Sequence, residues 1–121
     1  MPIQPGDVFR PRAVGSHTHI IISAVTPEGK VLTVNWTTLD AECLDDACIL
    51  RANEHEDIRH DSSIAYSRAE LRSAAKMNSA LAAGLLEQRP RLSPEILRRV
   101  VQGGLDSREL RADWKALLPK L

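Results

Sequence analysis

Aromatic residues are scarce in this chain of 121 residues. Only Phe9, Trp36, Tyr66 and Trp114 are present. Platforms that stack the bases of a single-stranded nucleic acid usually present several aromatic side chains on one sheet. The composition therefore disfavours an RNA binder that works through a stacking platform of the RRM or OB type.

Long apolar runs are also missing, since no stretch approaches the roughly 18 residues that a membrane-spanning helix needs. The opening segment Met-Pro-Ile-Gln-Pro-Gly-Asp has neither the basic region nor the apolar region of a secretory signal. We therefore expect a cytoplasmic protein without a membrane segment. Cysteine is limited to Cys43 and Cys48, which we expect to be reduced thiols in that compartment.

An overall excess of charge is absent as well, because the formal net charge is zero. This removes any long-range attraction of the whole molecule for nucleic acid. The charge is nevertheless uneven: residues 1–67 have a net charge of −5 and residues 68–121 have a net charge of +5. Two interpretations stay open, in which the halves dock on each other or the basic half presents a face to a polyanion.

Short segments with strand-like patterns, separated by turns, occupy the first 66 residues. The predicted strands are Val8–Arg10, His17–Ser23, Val31–Thr37, Ala47–Leu50 and Ser62–Tyr66. Three consecutive isoleucines make the second of these the expected buried central strand. The third alternates apolar and polar residues, which is typical of a half-buried antiparallel strand. Five short strands with tight connections favour a strongly curved barrel, because closure removes exposed edges.

Helical periodicity begins at Ser67. The segment Ser67-Arg68-Ala69-Glu70 has the spacing of a capping box and predicts a first helix, ended by Arg89-Pro90. Ser93-Pro94 predicts a second helix that Gly103-Gly104 end, and a third is expected from Asp106. The predicted fold class is α+β, with a small antiparallel β-barrel followed by three C-terminal helices. We expect a barrel domain with its first helix at 1–88 and a helical extension at 89–121 that packs on the barrel or on a partner.

Imidazoles and thiols offer one route to chemistry through a metal ion. The candidate ligands are His17, His19, His55, His60, Cys43 and Cys48. The cysteine pair has four intervening residues and no second pair of similar spacing, unlike a structural zinc site. We therefore expect no metal and no other cofactor, and we interpret Cys48 as a small buried residue of its strand.

Acid–base chemistry is the sharper hypothesis. His17 and His19 share one face where the central strand begins, and the ordinary pKa of histidine lies near neutrality. Cleaving RNA without a metal needs a base for the 2′-OH, an acid for the leaving oxygen and a cation for the phosphorane. We expect His17 or His19 as the base, His60 as the acid, and Arg68 with Thr37 to stabilise the developing charge. Candidate RNA contacts are Arg12, Thr38, Arg59 and Ser62.

The histidines in these assignments also have explanations that involve no catalysis. His17 and His19 are equally well explained as exposed histidines at the start of a strand. His60 is equally well explained as a residue that satisfies a buried backbone carbonyl in the loop before the last strand.

Four segments within residues 6–71 resemble the PemK/MazF family of toxin ribonucleases from toxin–antitoxin systems. Gly6-Asp7-Val8-Phe9 resembles the family's Gly-Asp-Ile-Trp, and His19-Ile20-Ile21-Ile22-Ser23 stands in place of its Arg-Pro-Ala-Val-Val-Ile-Ser strand. Val34-Asn35-Trp36-Thr37-Thr38 resembles Val-Pro-x-Thr-Ser, and Asp61-Ser62-Ser63-Ile64-Ala65 resembles Asp-Ser-Val-Val. The resemblance implies an SH3-like barrel, often a homodimer, that cuts single-stranded RNA without a metal and is neutralised by an antitoxin-like protein.

The chain departs from that family at two places. His17-Thr18-His19 replaces the family's Arg-Pro, and the Arg-x-Asp of some active members has no match at Ile64-Ala65-Tyr66-Ser67. Two further hypotheses therefore stay open. The first is a non-enzymatic protein-interaction module on the same barrel. The second is a nucleic-acid binder that contacts phosphates through the C-terminal arginines, namely Arg98, Arg99, Arg108 and Arg111.

Overall fold

The computed structural model describes residues 3–13, 15, 17–39 and 45–121. It confirms the α+β class, with antiparallel sheets and C-terminal helices. The strands are β1 (Val8–Pro11), β2 (His19–Ile21), β3 (Lys30–Val34), β4 (Trp36–Thr38), β5 (Ile49–Leu50), β6 (Ser62–Ile64), β7 (Glu70–Ser73) and β8 (Leu86–Arg89). The helices are α1 (Ala74–Ala82), α2 (Pro94–Asp106) and α3 (Ala112–Lys115). None of the described helices is both long and apolar enough to cross a membrane.

The larger sheet has five strands in the order β7-β3-β2-β1-β8. The isoleucine strand β2 lies at its centre, as predicted, with Ile20 opposite both Val8 and Val34. The sheet is open, because β7 and β8 form its two edges and pair only with β3 and β1 respectively. The smaller sheet has the order β4-β6-β5.

The chain passes from one sheet to the other at Asn35. Strand β3 ends at Val34, and β4 then pairs with β6 so that Trp36 lies opposite Ile64. The prediction of one continuous, half-buried strand over 31–37 is therefore wrong. The segment bends at the buried Asn35, and residues 31–34 are covered on both faces.

The predicted first helix is wrong at both ends. Tyr66–Arg68 form a single 3-10 turn, and the chain then continues as β7 on the edge of β3. Helix α1 begins only at Ala74, where the Ser73 side chain accepts the backbone N–H of Lys76 at 3.2 Å. The expected end of the helix, Leu86–Arg89, is instead β8. Ladder hydrogen bonds to β3 and β1 outweigh the local signal of the capping box.

Helix α2 begins as predicted, with the Ser93 side chain accepting the N–H of Ile96 at 3.2 Å and proline at the first turn. The prediction that Gly103-Gly104 end it is wrong, since the helix continues to Asp106. A Cβ atom at Gly103 would lie 2.5 Å from the Tyr66 hydroxyl oxygen. Glycine at this position therefore allows close packing of α2 on Tyr66 and Cys48. The last helix, α3, begins at Ala112 and not at Asp106.

Apolar side chains bury both faces of the large sheet. On one face, Val8, Ile20 and Leu32 pack with residues of α2 such as Ile96 and Val100. On the other face, Phe9, Ile21 and Val31 pack with Ala74 and Met77 of α1. The strands and α2 thus share one core, and the division of the chain at residue 88 stays a prediction.

Ion pairs join the basic second half of the chain to the acidic first half. Arg89 donates two hydrogen bonds of 2.8 Å to the carboxylate of Asp57. Arg99 pairs with Glu54, and Arg91 lies 3.1 Å from the carboxylate of Asp7. Part of the opposite charge of the two halves is therefore neutralised by ion pairs between them.

Candidate functional site

A cleft of about 530 Å³ opens beside the start of β2, next to the Tyr66–Arg68 turn. We call it the histidine cleft. Its lining residues are Pro11, His17, His19, Asn35, Ser67, Arg68, Ala69, Glu70 and Arg72. The fold thus brings together three of the five predicted catalytic residues: His17, His19 and Arg68.

The register of the large sheet explains how the residues of the cleft meet. Ile20 pairs with Val34, so the preceding residue His19 lies next to Asn35, where the chain leaves the sheet. Glu70 pairs with Thr33, which in turn pairs with Ile21. Because side chains two residues apart on a strand share a face, His19, Glu70 and Arg72 lie on the same face of the sheet.

His19 is the most strongly perturbed titratable group of the cleft. Burial lowers the pKa of His19 from its ordinary 6.5 to about 4, and the positive charge of Arg72 acts in the same direction. The carboxylate of Glu70 opposes this by favouring the protonated ring. With this pKa only about one His19 in a thousand is protonated at pH 7. The His19 ring is therefore neutral near pH 7 and cannot act as a proton donor there, and the same low pKa makes it a weak base.

Arg68 faces His17 at the mouth of the cleft. Both residues are exposed, and Arg68 Nη1 lies 3.5 Å from His17 Nε2. Within the part of the chain that the structure describes, Arg68 forms no ion pair with a carboxylate. Its guanidinium is thus available for an anion, and arginine matches the geometry of phosphate oxygens.

Arg72 is held in place on β7 by two neighbours. Its Nε donates to Thr33 Oγ1 at 3.2 Å, and its Nη2 lies 3.2 Å from Glu70 Oε2. The Thr33 hydroxyl itself donates to the backbone carbonyl of Glu70 at 3.2 Å. Sequence reasoning missed Glu70 and Arg72 because it assigned them to a helix. Their alternation with Leu71 was the available signal for a strand.

Thr37 and Thr38 do not line the cleft. They lie on β4 in the smaller sheet, opposite Ser63 and Ser62 of β6. Their assignment to one site with the histidines assumed that residues 31–37 stay beside β2, whereas the chain changes sheet at Asn35. The candidate RNA contact Ser62 therefore lies with them, and its hydroxyl donates to the carbonyl of His60 at 2.8 Å.

His60 also lies outside the cleft. The Ala65 N–H donates to the carbonyl of Asn35 at 2.8 Å, which fixes that end of the segment beside the cleft. His60 is five residues upstream of Ala65, and an extended chain of that length spans about 16 Å. Arg59 is exposed in the same loop, while Arg12 lines a different groove with Asp7 and Glu87.

The metal hypothesis gains no support from the described residues. His55 is occupied at both ring nitrogens: Nε2 lies 2.6 Å from the carbonyl of Pro90, and Nδ1 accepts the Asp57 N–H at 3.0 Å. Cys48 is buried, which raises the pKa of its thiol. No three metal-ligating side chains come together among the residues described. Cys43 lies outside those residues.

Two of the four C-terminal arginines already bind protein groups. Arg99 contacts Glu54 and donates to the carbonyl of Ile49 at 2.7 Å. Arg111 pairs with Asp113 at 2.7 Å and lies over the ring of Trp114. Only Arg98 and Arg108 of this set form no ion pair with another described residue.

No protein-family model matches the chain, and no curated protein has significant sequence similarity to it. A functional conclusion must therefore come from the residues themselves. The histidine cleft offers two imidazoles, a carboxylate and two guanidinium groups within one concave site.

Proposed function

We propose that the protein is an endoribonuclease that cleaves single-stranded RNA in the histidine cleft by metal-independent acid–base catalysis. The observation that carries this proposal is the meeting of His17, His19 and Arg68 with Glu70 and Arg72 in one cleft. Proton acceptors, a proton donor and anion-binding groups are the components that this reaction requires.

In the proposed reaction, His19 takes the proton of the ribose 2′-OH. The 2′ oxygen forms a bond to phosphorus while the bond from phosphorus to the 5′ oxygen breaks. His17 donates a proton to that 5′ oxygen, so the products are a 2′,3′-cyclic phosphate and a 5′-hydroxyl. Arg68 and Arg72 stabilise the charge of the phosphorane, and Glu70 stabilises the imidazolium that forms at His19.

Single substitutions test these roles. His17→Ala and His19→Ala should each lower kcat for a fluorogenic single-stranded RNA by roughly 10²–10⁴, with unchanged circular dichroism and little change in Tm. His60→Ala is the matched control, because the exposed His60 lies outside the cleft. Mass spectrometry should identify the cyclic phosphate. Full activity in the folded His17→Ala/His19→Ala double variant would refute the site, and a loss in His60→Ala alone would restore His60 as the acid.

The resemblance to the PemK/MazF family supports the same function as the cleft. We propose that the two sheets form a partly open SH3-like barrel of the PemK/MazF type. The segments that carry the resemblance lead into or form β1, β2, the passage from β3 to β4, and β6. Such a protein would act in the cytoplasm as a homodimer and would be inhibited by an antitoxin-like protein. Light scattering of the purified protein, and co-purification with the product of a neighbouring gene, test these two partners.

The interaction-module alternative predicts a different result for the same protein. A partner would bind at the cleft, and no RNA would be cleaved at any concentration of enzyme. The arginine-binder alternative is weakened by the protein contacts of Arg99 and Arg111.

A further inference from the structure

A second groove, of about 440 Å³, continues from the histidine cleft along helix α1. We call it the side groove. It shares His19, Glu70 and Arg72 with the histidine cleft, so the two form one path across the edge of the sheet. A chain-like substrate that places one phosphate at Arg68 would extend into this groove.

Two lysines give the side groove a positive rim. Lys30 starts β3 and lies opposite Ser73, and Lys76 lies in the first turn of α1, which contains no acidic residue. Both side chains are exposed. Neither forms an ion pair with any residue that the structure describes. Arg89, Arg91 and Arg99, by contrast, are all paired with carboxylates.

Part of the lining of the side groove is apolar. Leu85 is exposed by 65%, and Leu86 and the buried Met77 belong to the apolar cluster between α1 and the sheet. An apolar surface beside lysines that form no ion pair matches a nucleotide, which has an apolar base face and a charged phosphate. A duplex hides its base faces and would offer only phosphates to such a surface.

We propose that the side groove binds the nucleotide next to the scissile phosphate of a single-stranded RNA. Its phosphate lies between Lys30 and Lys76, and its base lies against Leu85 and Leu86. The identity of the scissile phosphate rests on the proposed function, whereas binding of a single strand at the groove does not. The charge of the two lysines and the continuity with the histidine cleft support RNA as the occupant.

Binding is measured without reaction by using a fluorescent 2′-O-methyl RNA pool of about eight nucleotides, which has no free 2′-OH to attack phosphorus. For Lys30→Gln/Lys76→Gln, the slope of log Kd against log salt should fall by about 0.7, since the two lysines hold one phosphate and each phosphate neutralised on a single strand contributes about 0.7. Arg51→Gln/Lys120→Gln is the matched control, because it removes the same charge from exposed residues that lie outside both grooves and are not candidate RNA contacts.

Loss of the apolar contact should have a different effect on binding. Leu85→Ser should weaken binding several-fold without changing the salt slope, because no phosphate contact is lost. Leu105→Ser is its control, since Leu105 is exposed and lines a groove at α2 and the C-terminus. Failure of both groove variants to alter binding, equal binding of a 2′-O-methyl duplex, or equal binding of polyglutamate would each overturn the proposal.

Turnover separates this proposal from the proposed function. With a cleavable RNA, the groove variants should raise KM with little change in kcat, whereas His17→Ala and His19→Ala should lower kcat. Wild-type protein that binds the methylated pool through the lysines but never cleaves RNA would refute the ribonuclease and leave the groove. Wild-type cleavage with unchanged KM in both groove variants would refute the groove and leave the ribonuclease.

Discussion

Gly103→Ala should destabilise this protein even though alanine is the better helix former. The new Cβ atom would lie 2.5 Å from the Tyr66 hydroxyl oxygen, 2.7 Å from Cys48 Cβ and 3.1 Å from the Ala47 carbonyl oxygen. Tyr66 cannot move away easily, because it is 1% exposed and its hydroxyl donates to the Val100 carbonyl at 2.5 Å. Helix α2 must therefore shift outward, or that buried hydrogen bond must break.

One stabilising effect and two destabilising effects determine how much the free energy of unfolding changes. Alanine in a helix interior contributes about 1 kcal/mol relative to glycine. Overpacking of a core costs about 1–3 kcal/mol. Loss of a buried hydrogen bond costs about 1–3 kcal/mol. We therefore expect a net loss of about 2 kcal/mol in the free energy of unfolding, which lowers Tm by roughly 6–10 °C in a domain of this size.

Gly104→Ala provides a control in the same helix. Its nearest contact would be Leu118 Cδ1 at 3.1 Å, the end of a flexible side chain that can rotate away. We expect its free energy of unfolding to stay within about 1 kcal/mol of the wild type. Urea and thermal unfolding measure both variants, and Tyr66→Phe completes a double-mutant cycle with Gly103→Ala. Removing the hydroxyl should make the alanine less costly. Gly103→Ala at or above wild-type stability would refute the close packing of α2 on Tyr66.

Two further predictions concern protonation. In an NMR titration the His19 ring should show a pKa near 4, which Arg72→Gln raises and Glu70→Gln lowers; a free-solution value would contradict the burial of the ring. Because the pKa of folded His19 lies below its ordinary 6.5, stability present above pH 6.5 is lost as the pH falls toward 4. Hydrogen bonds from Arg89 lower the pKa of Asp57, so its contribution is lost only at still lower pH, below the ordinary pKa of aspartate. The urea concentration at the midpoint of unfolding, measured against pH, should fall in both pH ranges. Asp57→Asn should remove only the fall at the lower pH.

The sequence allowed prediction of the elements whose signals are local. Ile20-Ile21-Ile22 indicated the central strand, and Ser93-Pro94 indicated the start of α2, because a buried β-branched run and a cap act over a few residues. Strands β7 and β8 were missed, since segments such as Glu70–Ser73 carry little apolar periodicity. Their strand conformation comes from pairing with residues about forty and eighty positions away along the chain.

In the candidate site, too, residues with a local signal were predicted, and residues placed by distant pairing were missed. His17 and His19 were placed together by assuming alternation on one strand; both do line the cleft, although β2 begins only at His19. Thr37 was misplaced because nothing in Val34-Asn35-Trp36 signals that the chain changes sheet there. Glu70 and Arg72 were missed as site residues for the same reason that β7 was missed, since the capping-box spacing at Ser67 outweighed the weak alternation of a charged edge strand.

The pairing of β1 with β8 has a consequence for the order of events during synthesis. The residues of the histidine cleft lie between positions 11 and 72, so they emerge from the ribosome early. Completion of the sheet waits for Leu86–Arg89, which pair with β1, and Gly103 of α2 packs on Tyr66 of the turn that carries Arg68. Strand β1 and the Tyr66–Arg68 turn therefore gain their last partners only after most of the chain has been translated.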